Sequence, residues 1–366
     1  MNDFPSSESR GAPDLPHLKR VSRIKHTILE RYFPSWAVIL ASQHSELSYF
    51  DCFAGPGAYE FEGKLAEGSP IIAVKAGIEL LNGRKGQRLH IYLIEDDANQ
   101  VQRLENGLKP LRPYPENLTV EVKLADSRRY IPDLLERLGR FGPAFFLIDP
   151  YGHPLSIPVI NRILGHGRTE ALINLMWFRI NMDLPNPNAE ARLDELCGDK
   201  AWRTQPFMAM HGFEREQAFI DYFRSRLSCK FVLPFRLRYD PEDVQGGNRT
   251  KYYLLHASNH AKAALLMKEV MWPLGDEEGT FDYSGTEQGV LISRTPSVEE
   301  LKIILTREFK GQEIGFEELR EKTWKLPFIE KHYREAIKGL EGKGARIRRI
   351  SSKRTGISGK DRILFE

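Results

Sequence analysis

Cysteine is scarce in this sequence. Three occur in 366 residues, Cys52, Cys197 and Cys229, and their wide separation excludes both a disulfide framework and a Cys-x-x-Cys metal site. No apolar run approaches the roughly 20 residues that cross a bilayer. The opening Met1-Asn2-Asp3-Phe4-Pro5 has no apolar core of a secretory signal, so a cytoplasmic protein with no membrane partner is expected. A Gly-x-x-x-x-Gly-Lys-Ser/Thr loop is missing, which excludes a P-loop NTPase. His, Cys and acid spacings offer no metal site, and no metal cofactor is expected.

What is present is a globular composition, 41% hydrophobic and 28% charged, with ample length for a buried core. The formal net charge of +3 is unevenly spread. Residues 321–366 hold 13 Lys+Arg against 6 Asp+Glu, leaving 40 against 44 in the remainder of the 53 and 50. A basic appendage of this kind suits nucleic acid, and equally a solvated basic surface.

Residues 1–17, rich in Pro and Ser, read as a flexible arm. Apolar positions then recur at helical spacing on both sides of Pro34, predicting one helix kinked or broken there. Short apolar segments at 48–53, 89–94, 118–124, 144–148 and 171–178 alternate with helical ones at 71–81, 99–108, 131–138 and 157–164. That rhythm predicts an α/β fold with a parallel, doubly wound sheet. An insertion is expected near 179–212. Segments 231–239 and 252–256 read as an antiparallel pair closing a Rossmann-like, seven-stranded methyltransferase-type sheet, the whole spanning 18–290. From 295 to 366 the order helix, short helix, helix, hairpin is that of a winged helix, with Lys331, Arg334 and Lys338 on its third helix and Arg346, Arg348, Arg349, Lys353 and Arg354 on its hairpin as candidate nucleic-acid contacts. A winged helix used for protein contact is the competing reading.

The chemistry gathers at the strand ends. Tyr49-Phe50-Asp51-Cys52-Phe53-Ala54-Gly55-Pro56-Gly57 runs from a strand through an acid into a Gly-x-Gly turn, which lets backbone approach a ligand closely. Glu95, Asp126 and Asp149 end the next three strands. A nucleoside cofactor needs a carboxylate for its ribose, a polar group for its adenine and a glycine turn. Glu95 suits the first and Asp126 the second, while Gly55 and Gly57, flanked by Asp51 and Phe53, supply the third. Each acid alone reads as a solvated turn residue or helix cap; four in succession point to a shared ligand. Because Gly57 is followed by Ala58-Tyr59-Glu60-Phe61 and a loop, the turn departs from the dinucleotide fingerprint.

Asp149-Pro150-Tyr151-Gly152 approximates the Asp-Pro-Pro-Tyr with which amino-directed methyltransferases hold a flipped-out base, the acid accepting from the exocyclic amine and the ring stacking on it. The second proline is absent, and a structural turn built on Pro150 and Gly152 is the competing reading. Lys25, His26 and Arg179 are further candidates for the pocket.

Several ordered motifs resemble the three-Cys-motif partner protein (TcmP) family: Lys25-His26 with Tyr32 and Trp36, the Tyr49–Gly57 stretch, Gly68-Ser69-Pro70, Ile94-Glu95, Phe146-Leu147-Ile148-Asp149-Pro150-Tyr151-Gly152, and Leu172-Ile173-Asn174. The resemblance implies a methyltransferase-like domain and a radical-SAM-like partner that carries the three cysteines. The expectation is an S-adenosylmethionine-dependent methyltransferase acting on nucleic acid, with Asp149, Pro150 and Tyr151 on the reaction side. A catalytically silent nucleic-acid-binding adaptor for that partner is the alternative. A third is a different reaction on a nucleotide held by the glycine turn.

Overall fold

The computed structural model describes residues 15–239, 249–275, 282–283, 297–341, 346–350 and 356–366. Helix α1 (Arg20–Ala41) leads into strand β1 (Glu46–Asp51). A hairpin follows, β2 (Ala58–Phe61) and β3 (Lys64–Glu67), and then α2 (Ser69–Leu81). Strand–helix units continue with β4 (Arg88–Glu95) and α3 (Ala98–Leu108), β5 (Leu118–Leu124) and α4 (Ser127–Leu138), and β6 (Ala144–Ile148) and α5 (Ile157–Leu164). After β7 (Thr169–Leu175) come α6 (Trp177–Asp183), α7 (Glu190–Cys197) and α8 (Gly212–Ser225), and the antiparallel strands β8 (Phe231–Arg238) and β9 (Thr250–Ser258) precede α9 (Ala261–Met271).

Strand order in the main sheet is β8-β9-β7-β6-β1-β4-β5, with β9 antiparallel to both neighbours and the rest parallel. This is the seven-stranded, mostly parallel sheet of the methyltransferase-type Rossmann-like fold. A two-residue strand, β10 (Asp282–Tyr283), extends it beside β8. The centre is the most apolar part, as two-sided burial requires: every residue of β6, Ala-Phe-Phe-Leu-Ile, is buried, with helices covering both faces. Connections leave β1 toward β4 on one side and reach β6 on the other, so the topological switch point lies between β1 and β6. Ligands of such sheets bind at the carboxyl ends of the strands near that point.

Several local expectations change. Helix α1 runs unbroken through Pro34, because Tyr32, Phe33 and Trp36 around it pack into the core and outweigh the lost backbone bond. The fifth strand ends at Leu175, and Phe178 belongs to α6. The stretch 179–212 is largely helical, and Ile180, Leu193, Trp202 and Phe207 join the core beneath β6 and β7. Between Gly57 and Ser69 lies the β2–β3 hairpin in place of a loop. The end of the N-terminal arm is pinned to it: Leu18 N donates to Glu60 O at 2.7 Å and Glu60 N to Pro16 O at 2.9 Å. Residues 240–248, which join β8 and β9, lie outside the described residues.

The C-terminal elements are α10 (Val298–Glu308), β11 (Glu313–Gly315), α11 (Phe316–Lys322), α12 (Glu330–Leu340), β12 (Ile347–Ile350) and β13 (Arg362–Phe365), the strands ordered β11-β13-β12. They enclose a core of their own around Leu305, Phe316, Tyr333, Ile337 and Ile363. Buried Lys268 of α9 docks this unit, donating to Leu326 O at 2.8 Å and to Trp324 O. Arg320 bridges Glu269 (3.1 Å) and Glu330 (2.6 Å). Burial pushes the Lys268 ammonium down to about 8, since desolvation disfavours its charge.

Candidate functional site

Two strand ends beside the switch point form the site. After β1 the chain turns through Gly55 (φ +65°) and Gly57 (φ +78°), conformations that side chains other than glycine adopt at a cost. A Cβ at Gly55 would lie 2.7 Å from the Tyr59 hydroxyl, and one at Gly57 2.8 Å from Leu104 Cδ1. The turn is therefore packed against its own hairpin and α3. Gly55 N donates to Glu95 Oε2 at 2.7 Å, and Asp96 N and Asp97 N donate to Oε1, each at 3.1 Å. Burial raises the Glu95 carboxyl above its ordinary value against these bonds. A carboxylate offers about four acceptor sites, so Glu95 keeps roughly one for a hydroxyl.

Asp51 does not face this space. It is fully buried, accepting from Phe53 N at 3.4 Å and the Tyr49 hydroxyl at 3.3 Å. Burial pushes its carboxyl up to about 7; Asp149 adds to the rise, and hydrogen bonds from Ser69, Phe53 N and Tyr49 oppose it. Phe53 carries the Arg128 guanidinium over its ring at 5.7 Å. Asp126 caps α4, accepting from Arg128 N at 3.0 Å.

Across the switch point, Asp149 ends β6 and meets α1. Lys25 Nζ donates to both its oxygens, at 2.7 and 2.5 Å, and Asn174 Nδ2 donates to Oδ1 at 2.6 Å. The Lys25 and Asp149 side chains are only 13% and 17% exposed, so the pair is held in place yet reachable. Next on α1, His26 is buried with Nδ1 unpartnered among the described residues and packs on Tyr59, ring centroids 5.7 Å apart. Burial first, then the neighbouring Lys25, lowers it to about 3, so it is neutral. Contacts thus run continuously from Glu95 through Gly55, Tyr59 and His26 to Lys25 and Asp149.

Tyr151 points elsewhere. It is 96% exposed, and Gly152 after it has φ +141°. Beside it a cavity of about 420 Å³ is lined by Arg128, Arg179 and Arg192 together with His153 and Asp183. Arg192 is tied to Asp183 at 3.0 Å and Arg128 to His153 O at 3.0 Å, whereas Arg179 has no polar partner among the described residues.

The basic residues of the C-terminal unit divide. Lys331, Lys338, Arg346 and Arg348 are exposed. Arg334 is used internally on Glu330 and Ile357 O, and Arg349 on Glu341 (2.6 Å) and Asp361 (3.2 Å). Lys353 and Arg354 lie outside the described residues. Glu335 shares the helical face of Lys331 and Lys338, four and three residues away, which dilutes its charge. The start of α12 is docked on the main domain, Glu330 N donating to Glu269 Oε1 at 2.7 Å and His332 packing on Trp272.

Asn174, Tyr59 and the buried group Tyr32–Glu170–His256 were not singled out as site candidates from the sequence. For Asn174 and Glu170 the signal is a polar residue inside an otherwise apolar strand, β7, whose seven residues are all buried; Tyr32 on α1 and Tyr59 on β2 carry no such signal.

No family model matches the chain, and no curated protein matches it. Among solved structures it is similar to a DUF519-family protein from Legionella pneumophila str. Philadelphia 1, with 13% identity, TM-score 0.39, and coverage of 76% of this chain and 97% of that one. It is also similar to a SAM-dependent methyltransferase from Agrobacterium tumefaciens (12%, TM-score 0.33, 63% and 62%) and to MnmC2 from Aquifex aeolicus (13%, 0.33, 66% and 63%). Scores this low assign nothing to the site.

Proposed function

We propose that the chain is an S-adenosylmethionine-dependent methyltransferase whose target is an amino group of nucleic acid. The observation that carries this reading is Asp149 at the carboxyl end of β6, fixed by Lys25 and Asn174 across the switch point from the Gly55 turn and Glu95. The donor set fits the cofactor: Glu95 retains an acceptor site for a ribose hydroxyl, and the orphaned Nδ1 of neutral His26 and Oδ1 of Asn174 lie in the same contact network. When bound, S-adenosylmethionine supplies an electrophilic methyl group. Gly55 and Gly57 supply the turn that sets Glu95, and Asp126 serves the adenine side.

Three contacts occupy three of the roughly four acceptor sites of Asp149. The remaining one accepts a hydrogen bond from the target N–H, aligning the nitrogen lone pair, and takes up the proton displaced as the new bond forms. Lys25 occupies both oxygens of Asp149, so a target amine competes with it for the carboxylate. Arg128 and Arg179, in the cavity beside Tyr151, suit the phosphates flanking a target base. The C-terminal unit, read as a winged helix, adds Lys331, Lys338, Arg346 and Arg348. Transfer of labelled methyl from S-adenosylmethionine to RNA or DNA tests this reading: wild type labels one of them and Asp149→Ala does not.

The second reading is a catalytically silent adaptor that brings nucleic acid to a radical-SAM-like partner. The outward Tyr151 and the Lys25-paired Asp149 favour it. Cofactor binding without transfer to any nucleic acid, together with co-purification of the partner, would select it.

A further inference from the structure

We infer that the molecule carries a second binding site, for a nucleoside phosphate, at the opposite end of the sheet from the Asp149 crevice. A cavity of about 520 Å³ opens there between α1 and α9, within the range of small-molecule sites. One wall is apolar and aromatic, formed by Trp36, Ile39 and Leu40 of α1 and Leu266 of α9. The other side is cationic: Arg168 before β7, Lys230 before β8 and Lys262 in the first turn of α9 line it.

Two further observations favour an anion. First, α9 begins at the cavity, and its N-cap, His260, makes no side-chain capping bond; uncapped N–H groups with the positive end of the helix dipole attract phosphate. Second, of the two acids that line the cavity, Glu170 and Glu321, Glu170 is already engaged: Oε2 accepts from the Tyr32 hydroxyl at 2.5 Å and lies 3.0 Å from His256 Nε2. The Lys262–Glu317 pair at the rim, 3.3 Å apart with side chains 78% and 50% exposed, is too open to compete strongly with a phosphate.

The location gives the site a reach beyond the main domain. Glu321 of α11 lines the same cavity, and Phe231 beside Lys230 packs edge-on against Trp324, ring centroids 5.0 Å apart. A bound nucleotide therefore touches both the main domain and the C-terminal unit. Free nucleotide and the phosphorylated end of a polynucleotide share this chemistry.

Calorimetry on the full chain with uridine monophosphate, which lacks the adenine proposed for the other end, tests the site. Binding is expected for wild type, unchanged in Glu95→Ala, and weakened about tenfold or more in Arg168→Glu/Lys230→Glu. A 5′-phosphorylated single-stranded RNA that displaces the nucleotide identifies a polynucleotide end as the source; failure to displace it identifies free nucleotide. Absence of binding by both probes, or binding that is insensitive to the double charge reversal, overturns the proposal.

Discussion

Helix α1 serves both ends of the sheet, and the two ends use it differently. Lys25 and Tyr32 are seven residues apart, two helical turns and about 10 Å along one face. At the carboxyl end Lys25 meets Asp149 as a partly reachable ion pair with acceptor capacity to spare. At the amino end Tyr32 meets Glu170 and His256 in a network with almost no exposure. Burial and the Glu170 charge hold the Tyr32 hydroxyl well above the usual phenol range, so it remains a donor. The difference teaches a division of labour: a reachable pair can be rearranged by a ligand, whereas a sealed network fixes the helix on the sheet.

Substitutions at the two ends should therefore separate activity from stability. Asp149→Asn is expected to lower methyl transfer by about 100-fold or more while shifting the urea midpoint little, because the amide oxygen still accepts from Lys25 and Asn174; single-turnover transfer and a denaturation curve check both. Glu170→Ala should reverse the pattern, costing about 3 kcal/mol by stranding the Tyr32 and His256 donors and leaving the transfer rate per folded molecule unchanged. Gly55→Ala is expected to cost about 1–2 kcal/mol through its positive φ and the clash with the Tyr59 hydroxyl, measured as a lower melting temperature.

The smallest net effect is the pH dependence of the wild type, in which two opposed titrations largely cancel. Asp51, raised to about 7 from 3.8, contributes stability that is present below 3.8 and lost as pH rises through 7. His26, lowered to about 3 from 6.5, contributes stability that is present above 6.5 and lost as pH falls toward 3. The two oppose each other between about pH 4 and 6.5. Stability of His26→Gln should fall steadily from pH 4 to 7, and that of Asp51→Asn should rise from pH 3 to 6.5, as urea midpoints across pH will show.

Much of the sheet is legible in the sequence: the wholly buried β6 coincides with the apolar run 144–148, and the edge strand β5 with the alternating segment 118–124. Boundaries shifted where tertiary packing overrode local signals, as at Pro34. The 179–212 stretch has little periodicity because short 3-10 turns interrupt its helices. At the site, strand-end positions of Glu95, Asp126 and Asp149 were readable from the alternation alone. Which acids pair, and with what, was not: Lys25 and Asp149 are 124 residues apart, and only the packing of α1 over β6 and β7 joins them. The burial of Asp51 and the outward turn of Tyr151 are likewise tertiary facts.

Calorimetric titration of S-adenosylmethionine into wild type and Glu95→Ala tests the central claim about the carboxyl-end crevice. Binding to wild type that is lost or strongly weakened in Glu95→Ala is the predicted result. No binding to wild type, or equal binding to both proteins, would contradict it.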